Sequence, residues 1–180
     1  MKNLEEKELS RKRVYDFPSF SINESEVLLP NGKTRIRPWM DHSGSVAVLA
    51  MNEEGKIAIE RQYRFAIRTL TYEIPAGHRE ADEEYEAAAS RELLEETGLK
   101  AENMRFLGYM CPGGSTSTEK TAIFVATGLS KASEQDLDED EFLTVGWMSV
   151  EEVESLIREG EIWDPKTMCA LYYAHLNGVI

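Results

Sequence analysis

The chain has 180 residues, 42% of them hydrophobic, and a formal net charge of −13, which suits one soluble domain with a real core and is too short for two comfortable ones. That charge argues against nucleic acid or an anionic membrane as a partner, and no run approaches the roughly 18 apolar residues of a membrane helix. The N-terminus, MKNLEEKELSRKR, lacks the apolar core of a signal peptide, and two cysteines, Cys111 and Cys169, do not make a disulfide framework, so the expected compartment is the cytoplasm.

The first readable element is a hairpin over residues 18–40. An extended run through Glu26–Leu29 meets the turn Pro30-Asn31-Gly32-Lys33 and returns from Thr34 to Trp39; Asn-Gly is the strongest short hairpin signal. Ser45–Met51 reads as an apolar strand, turned by Asn52–Gly55 into a second strand over Lys56–Gln62. Further strands are expected near Leu70–Ile74, Arg105–Met110, Thr121–Thr127 and Phe142–Met148. Before the Arg105 strand, Asp82 is placed to cap a helix whose apolar residues Tyr85, Ala89 and Leu93 recur every four positions, with Gly98 as its stop. Ser149-Val150-Glu151-Glu152 is a capping box opening a helix that stops at Gly160. Asp164-Pro165, a cap followed by a first-turn proline, opens the last helix, which runs through Leu176. Strands on both sides of the acidic helix, followed by two helices, predict an α/β protein with a mixed sheet packed between helices. No internal repeat or low-complexity linker divides it, so residues 1–180 read as a single domain.

The acidic helix carries most of the chemical information. From Gly77 to Leu99, GHREADEEYEAAASRELLEETGL, eight acids face two bases. Glu92 and Glu96 stand one turn apart on one face, with Glu95 beside them; like charges so placed cost roughly 0.2–0.5 kcal/mol per pair. They also occupy the last turn, where the helix dipole repels them. A solvated acidic face is the plain alternative, but a helix that breaks two local rules in one turn is expected to hold something positive. Hard carboxylate oxygens favour Mg²⁺, with Mn²⁺ as a substitute, over Zn²⁺. His42, His78 and His175 are scattered and read as surface or packing residues. Glu92 and Glu96 are the first candidate metal ligands, with Glu95 as a third member of the cluster, and for the helix by itself the solvated face remains the weightier reading.

Gly77, five residues, Glu83, seven residues, then Arg91-Glu92-Leu93-Leu94-Glu95-Glu96-Thr97-Gly98-Leu99 resembles the Nudix box at every defined position. The resemblance implies a loop–helix–loop that binds divalent metal and hydrolyses a nucleoside diphosphate linked to another group. It implies an α/β/α sandwich of the Nudix type, in which residues 1–40 form an added N-terminal antiparallel β segment used in a homodimer. It also implies the backbone carbonyl of Ala76 as a metal ligand. Gly77, Glu83, Arg91 and Gly98 then hold the motif, Glu83 and Arg91 through an ion pair that orients the carboxylates.

Water attack on phosphorus needs a base, and glutamates occupied by metal are poor ones. The other acidic run, Asp136-Leu137-Asp138-Glu139-Asp140-Glu141-Phe142, resembles the loop that supplies the base or a late metal ligand in ADP-ribose pyrophosphatases. Glu139 and Glu141 both fit; Glu139 is preferred as base and Glu141 as ligand, and Glu95 is held in reserve. Glu60-Arg61-Gln62-Tyr63-Arg64 and Glu73-Ile74-Pro75-Ala76-Gly77 resemble the nucleotide-sugar branch, with Arg64 and Glu73 as substrate-binding residues; a planar, always-charged guanidinium suits a diphosphate. The segment from Cys111 to Glu119 resembles that branch's substrate loop, with Pro112 and Gly113 near the terminal sugar. Cys111 in place of a serine, and a loop longer by one or two residues, are its departures, and they bear on the identity of the sugar. Cys111 itself reads as a small apolar filler. Adenine recognition calls for an aromatic platform, for which Trp39 and Phe17 are available, but core or interface packing is the expected role of each. The expected reaction is Mg²⁺-dependent hydrolysis of ADP-ribose to AMP and ribose 5-phosphate. The alternatives are another nucleoside diphosphate sugar such as GDP-mannose, and a non-catalytic nucleotide or ADP-ribose sensor.

Overall fold

The computed structural model describes residues 3–137, 139 and 141–180. Two compact units emerge. One is the stretch up to Gly44 together with Cys111–Lys120; the other is Ser45–Met110 together with Thr121–Ile180.

The first unit is an antiparallel sheet in the order β1-β2-β3, from Lys7–Asp16, Phe20–Leu28 and Thr34–His42. The Asn-Gly turn closes the β2–β3 hairpin, with the Leu29 N–H donating to the Lys33 carbonyl at 2.8 Å and Gly32 at φ +81°. β1 is an addition to the sequence reading. Its residues KELSRKRVYD are exposed throughout and carry no alternation of apolar and polar positions, so the period-two signal of a half-buried strand is missing. What holds it is the backbone ladder to β2 and polar contacts along that edge: Arg37 pairs with Glu6 at 2.7 Å, and the Ser25 hydroxyl donates to Glu8 at 2.6 Å. The Cys111–Lys120 loop joins β3 through Met40 N–H to Thr116 O at 2.7 Å and Thr118 N–H to Met40 O at 2.9 Å.

The second unit contains two sheets and three helices. A four-stranded sheet has the order β7-β4-β9-β8, from Ala76–His78, Ser45–Ala50, Thr121–Lys131 and Leu99–Met110. β4 pairs parallel with β9 and antiparallel with β7, which makes this sheet mixed. A three-stranded antiparallel sheet has the order β10-β5-β6, from Leu143–Ser149, Lys56–Arg64 and Thr69–Glu73. β4 is buried at all six positions, as a central strand covered on both faces must be. Val46, Val48 and Ala50 pack with Ala88, Ala89 and Leu93 of helix α1 (Tyr85–Thr97). Ala47 and Leu49 pack on the other side with Val153 of α2 (Val150–Glu159) and with Ala170, Leu171 and Ala174 of α3 (Pro165–Leu176). This is the expected helix–sheet–helix layering.

The later helix ends follow the sequence. Ser149 and Glu152 form the reciprocal capping box of α2, and the Asp164 side chain accepts from the Thr167 N–H at the start of α3. α1 differs at its start: it opens at Tyr85 after Glu84, with no side-chain cap, rather than from Asp82. The preceding turn is organised by Arg79 and Glu83, since Arg79 donates to the Glu83 carbonyl at 2.7 Å and the Glu83 carboxylate accepts from the Glu80 N–H at 3.1 Å. β8 is also longer than expected, beginning directly after Gly98. Gly98 ends α1 at φ +69°, its N–H reaching Leu94 O at 2.8 Å; a Cβ there would strike the Ser133 carbonyl.

Candidate active site

α1 is anchored by its apolar face, and that anchoring sets where its acids stand. Ala88, Ala89 and Leu93 are buried against β4 and β9, so Glu92 and Glu96 emerge on the flank beside the Pro75–Gly77 segment. Gly77 runs against Glu92 so closely that a Cβ built on it would fall on the Glu92 carboxyl group. The Ala76 N–H donates to Glu96 Oε2 at 2.8 Å. Glycine at 77 is thus explained by close approach, and Ala76 and Glu96 are brought together directly.

Arg91 fastens the turn before the helix to the helix end. Its Nε and Nη2 meet the two oxygens of Glu83 at 3.0 Å each, and Nη2 also reaches the His78 carbonyl at 2.9 Å. Nη1 donates to Glu92 at 2.8 Å and to Glu95 at 2.9 Å. A two-pronged guanidinium–carboxylate pair fixes geometry as well as charge. Hydrogen bonding to Arg91 holds Glu83 below the usual carboxylate range.

Acids accumulate behind this clasp. Glu96 is 2% exposed and Glu60, in the middle of β5, is 3% exposed; the two carboxyl groups act on each other directly. Burial, and then the charge of Glu73, push Glu60 well above the ordinary range, and burial, and then the charge of Glu60, do the same to Glu96. Burial raises Glu92 to about 7, with Arg91 opposing and Glu95 and Glu141 reinforcing the rise. Glu60 Oε1 is a buried oxygen without a hydrogen-bond partner. An orphaned acceptor beside two more carboxylates fits a hard cation, whose ligands are oxygens. Among the described residues no three such side chains already stand in coordinating geometry; Glu92 is turned to Arg91.

The second network lies along β5, β6 and α3. Arg64 donates through Nε and Nη2 to both oxygens of Glu73, at 2.8 and 2.7 Å. Lys166 reaches Glu73 at 2.8 Å and Asp164 at 2.7 Å, and the Thr71 hydroxyl donates to Glu73 as well. Burial would raise Glu73, but Arg64, Lys166 and Thr71 outweigh it and hold the carboxyl at about 2. The oxygens of Glu73 are occupied within the protein, so its visible task is to aim Arg64. Arg64 keeps Nη1 outside that pair and a side chain 40% exposed.

The acidic loop is tied to the end of α1. Asp136 N–H donates to the Glu95 carbonyl at 2.9 Å, Ala132 N–H to Gly98 O at 2.9 Å, and the Gln135 amide to the Glu96 carbonyl. Glu141 is half-buried and its charge raises Glu60, Glu92 and Glu96 alike, whereas Glu139 is exposed. Asp138 and Asp140 lie outside the described residues. Pro112 and Gly113 belong to the first unit, where Gly113 O accepts from the N–H groups of Thr116 and Ser117 at 2.8 Å each. In that unit Trp39 donates from Nε1 to the Ser25 hydroxyl at 2.9 Å and carries Arg11 over its ring at 4.7 Å, while Phe17 packs on Phe20 at 5.4 Å. Two residues given no role on sequence enter the site: Glu60, named there only as part of a segment, and Lys166. Their signals are small, an acid directly after the apolar run Ile57-Ala58-Ile59 and a lysine in the first turn of a helix, where the dipole disfavours it.

Comparison with known proteins gives a consistent picture. The NUDIX domain matches residues 41–171. An ADP-ribose pyrophosphatase of Bacillus subtilis (strain 168) is 37% identical over 178 residues, 98% of this chain and 96% of its own length. A methanol dehydrogenase activator of Bacillus methanolicus is 36% identical over 177 residues, again 98% and 96% of the two chains. The crystal structure of an ADP compounds hydrolase superposes with a TM-score of 0.82 at 22% identity, covering 97% of this chain and 95% of that one.

Proposed function

This chain belongs to the Nudix family of hydrolases, and we propose that it cleaves the diphosphate of ADP-ribose to AMP and ribose 5-phosphate with Mg²⁺ as its cofactor. The observation that carries this reading is the convergence of Glu92, Glu96 and the Ala76 backbone at the end of α1, held by Arg91. A protein of net charge −13 repels a diphosphate unless cations and placed arginines counter it.

Glu92, Glu96 and the Ala76 carbonyl would hold the ion. Bound there, it would acidify the attacking water and neutralise charge on the phosphoryl oxygens. Arg91 keeps Glu92 and Glu95 oriented through Glu83, and Gly77 leaves space for the Glu92 carboxyl. Arg64, aimed by Glu73 and Lys166, presents Nη1 to the diphosphate or ribose. The order preferred on sequence, Glu139 as base and Glu141 as ligand, is reversed in this proposal: Glu139 is exposed, whereas the charge of Glu141 acts on Glu60, Glu92 and Glu96, so Glu141 is the first candidate to take the proton from water, Glu139 the second and Glu95 the third. Pro112 and Gly113 are assigned to the terminal sugar. We assign the β1–β3 segment to a homodimer, since Leu9, Val14, Tyr15 and Ile36 are exposed on it, and the protein to the cytoplasm.

ADP-ribose, GDP-mannose and other nucleoside diphosphate sugars assayed with Mg²⁺, with products identified by chromatography, test the reading. AMP and ribose 5-phosphate formed at the highest kcat/KM from ADP-ribose support it. A preference for GDP-mannose transfers the same chemistry to another sugar. Tight ADP-ribose binding without any turnover in Mg²⁺ or Mn²⁺ would establish a sensor instead.

A further inference from the structure

Glu60 lies outside the Nudix box, and nothing in the assigned chemistry uses it. It sits at the centre of β5 with Val145 of β10 on one side and Glu73 of β6 on the other. Directly opposed acids on neighbouring strands repel. Its neighbours Ile57, Ala58 and Ile59 are all core residues, so an apolar side chain would satisfy this position better. Instead the chain buries a carboxyl group to 3% exposure, sets it against Glu96, and leaves Oε1 without a partner.

The basic side chains around it are committed elsewhere. Arg64 is engaged by Glu73, Lys166 by Glu73 and Asp164, and Arg91 by Glu83, Glu92 and Glu95. Arg64 lowers the cost of charge at Glu60 only from a distance, while Glu73, Glu96 and Glu141 surround it with acid. A buried acceptor facing three carboxylates calls for a cation that none of these basic side chains provides.

We propose that Glu60 is an additional ligand of the divalent cation, approaching from strand β5 while Glu92 and Glu96 approach from helix α1. This rests on the reading of the box glutamates as metal ligands. It gives the site an oxygen donor on the sheet side, so the ion would join β5 to α1 and binding would stiffen the contact between them.

The test is Mn²⁺ binding, followed by the electron paramagnetic resonance signal of free aqueous Mn²⁺, for the wild type, Glu60→Gln and Glu96→Gln. Glutamine keeps the shape but takes away the carboxylate that would bind the ion. The expected result is at least ~10-fold weaker Mn²⁺ binding, or one fewer bound ion, in Glu60→Gln. Its metal-free melting temperature should equal or exceed that of the wild type. Unchanged binding in Glu60→Gln with weakened binding in Glu96→Gln would overturn the assignment of Glu60 alone. Unchanged binding in both would overturn the box reading beneath it. A Mn²⁺ anomalous-scattering map of the unaltered protein decides the matter even if the variant fails to fold. A Glu60 oxygen within about 2.4 Å of an ion supports the proposal, and a Glu60 carboxyl group more than about 3.5 Å from every ion refutes it.

Discussion

Replacing Glu73 by Gln tests whether the Arg64–Glu73–Lys166 network is a strong electrostatic device. The Glu73 carboxyl is held at about 2 against its ordinary 4.5, a gap worth about 3 kcal/mol at neutral pH. A depressed folded-state value means that this stability is present in full above the unfolded value, near pH 4.5. It is lost as pH falls towards 2, and more than half, about 2 kcal/mol, should be gone by pH 3. Urea unfolding of wild type and Glu73→Gln between pH 3 and 7 measures it. The variant should be less stable by about 3 kcal/mol at pH 7, and the two curves should converge towards pH 3. Arg64 loses its aim in the same variant, so KM for ADP-ribose should rise more than kcat falls. A stability difference below about 1 kcal/mol, or one that does not change with pH, would refute the account of this network.

Glu96→Gln should lower activity by at least ~10²-fold while raising the metal-free melting temperature, because the amide needs no protonation to be buried against Glu60; wild-type turnover at saturating Mg²⁺ would take Glu96 out of the ligand set. Gly77→Ala should leave a folded protein with kcat reduced by ~10²-fold, since the added methyl displaces the Glu92 carboxyl; circular dichroism and single-turnover rates check both parts. Glu141→Gln should cost ~10²–10⁴ in kcat if Glu141 is the base, with Glu139→Gln within a few-fold of wild type. The reverse pattern would return the role to Glu139, and full activity in both would move the search to Glu95.

Much of the fold was legible because its signals are local. β4 is a continuous apolar run with the length of a strand, and Asn31-Gly32, Ser149–Glu152 and Asp164-Pro165 announce their turns and caps within four residues. β1 was not legible, because a strand exposed along its whole length gains its order from backbone pairing and scattered ion pairs, neither of which leaves a periodic trace. The start of α1 was misplaced for a related reason. Asp82 has the composition of a cap, but Arg79 reaches the Ala81 and Glu83 carbonyls and settles that turn through a side chain that lies outside the cap pattern.

The same distinction explains what was readable at the site. Glu92, Glu95, Glu96 and Arg91 lie within six residues of one helix, so spacing alone places them together. Glu60 and Lys166 arrive through cross-strand register and through the docking of α3, at separations of 36 residues from Glu96 and 93 from Glu73. No periodicity reports contacts of that range. The repulsion expected within α1 is also distributed in a way the helix alone does not reveal. Arg91 neutralises much of it at Glu92 and Glu95, while Glu96, among the described residues, receives the Ala76 N–H and faces the charge of Glu60. The cost of ionisation is therefore greatest at the buried Glu60–Glu96 pair rather than on the exposed face. A divalent ion held there removes repulsion where solvent screens it least, so it should stabilise the fold as well as prepare the site for a diphosphate.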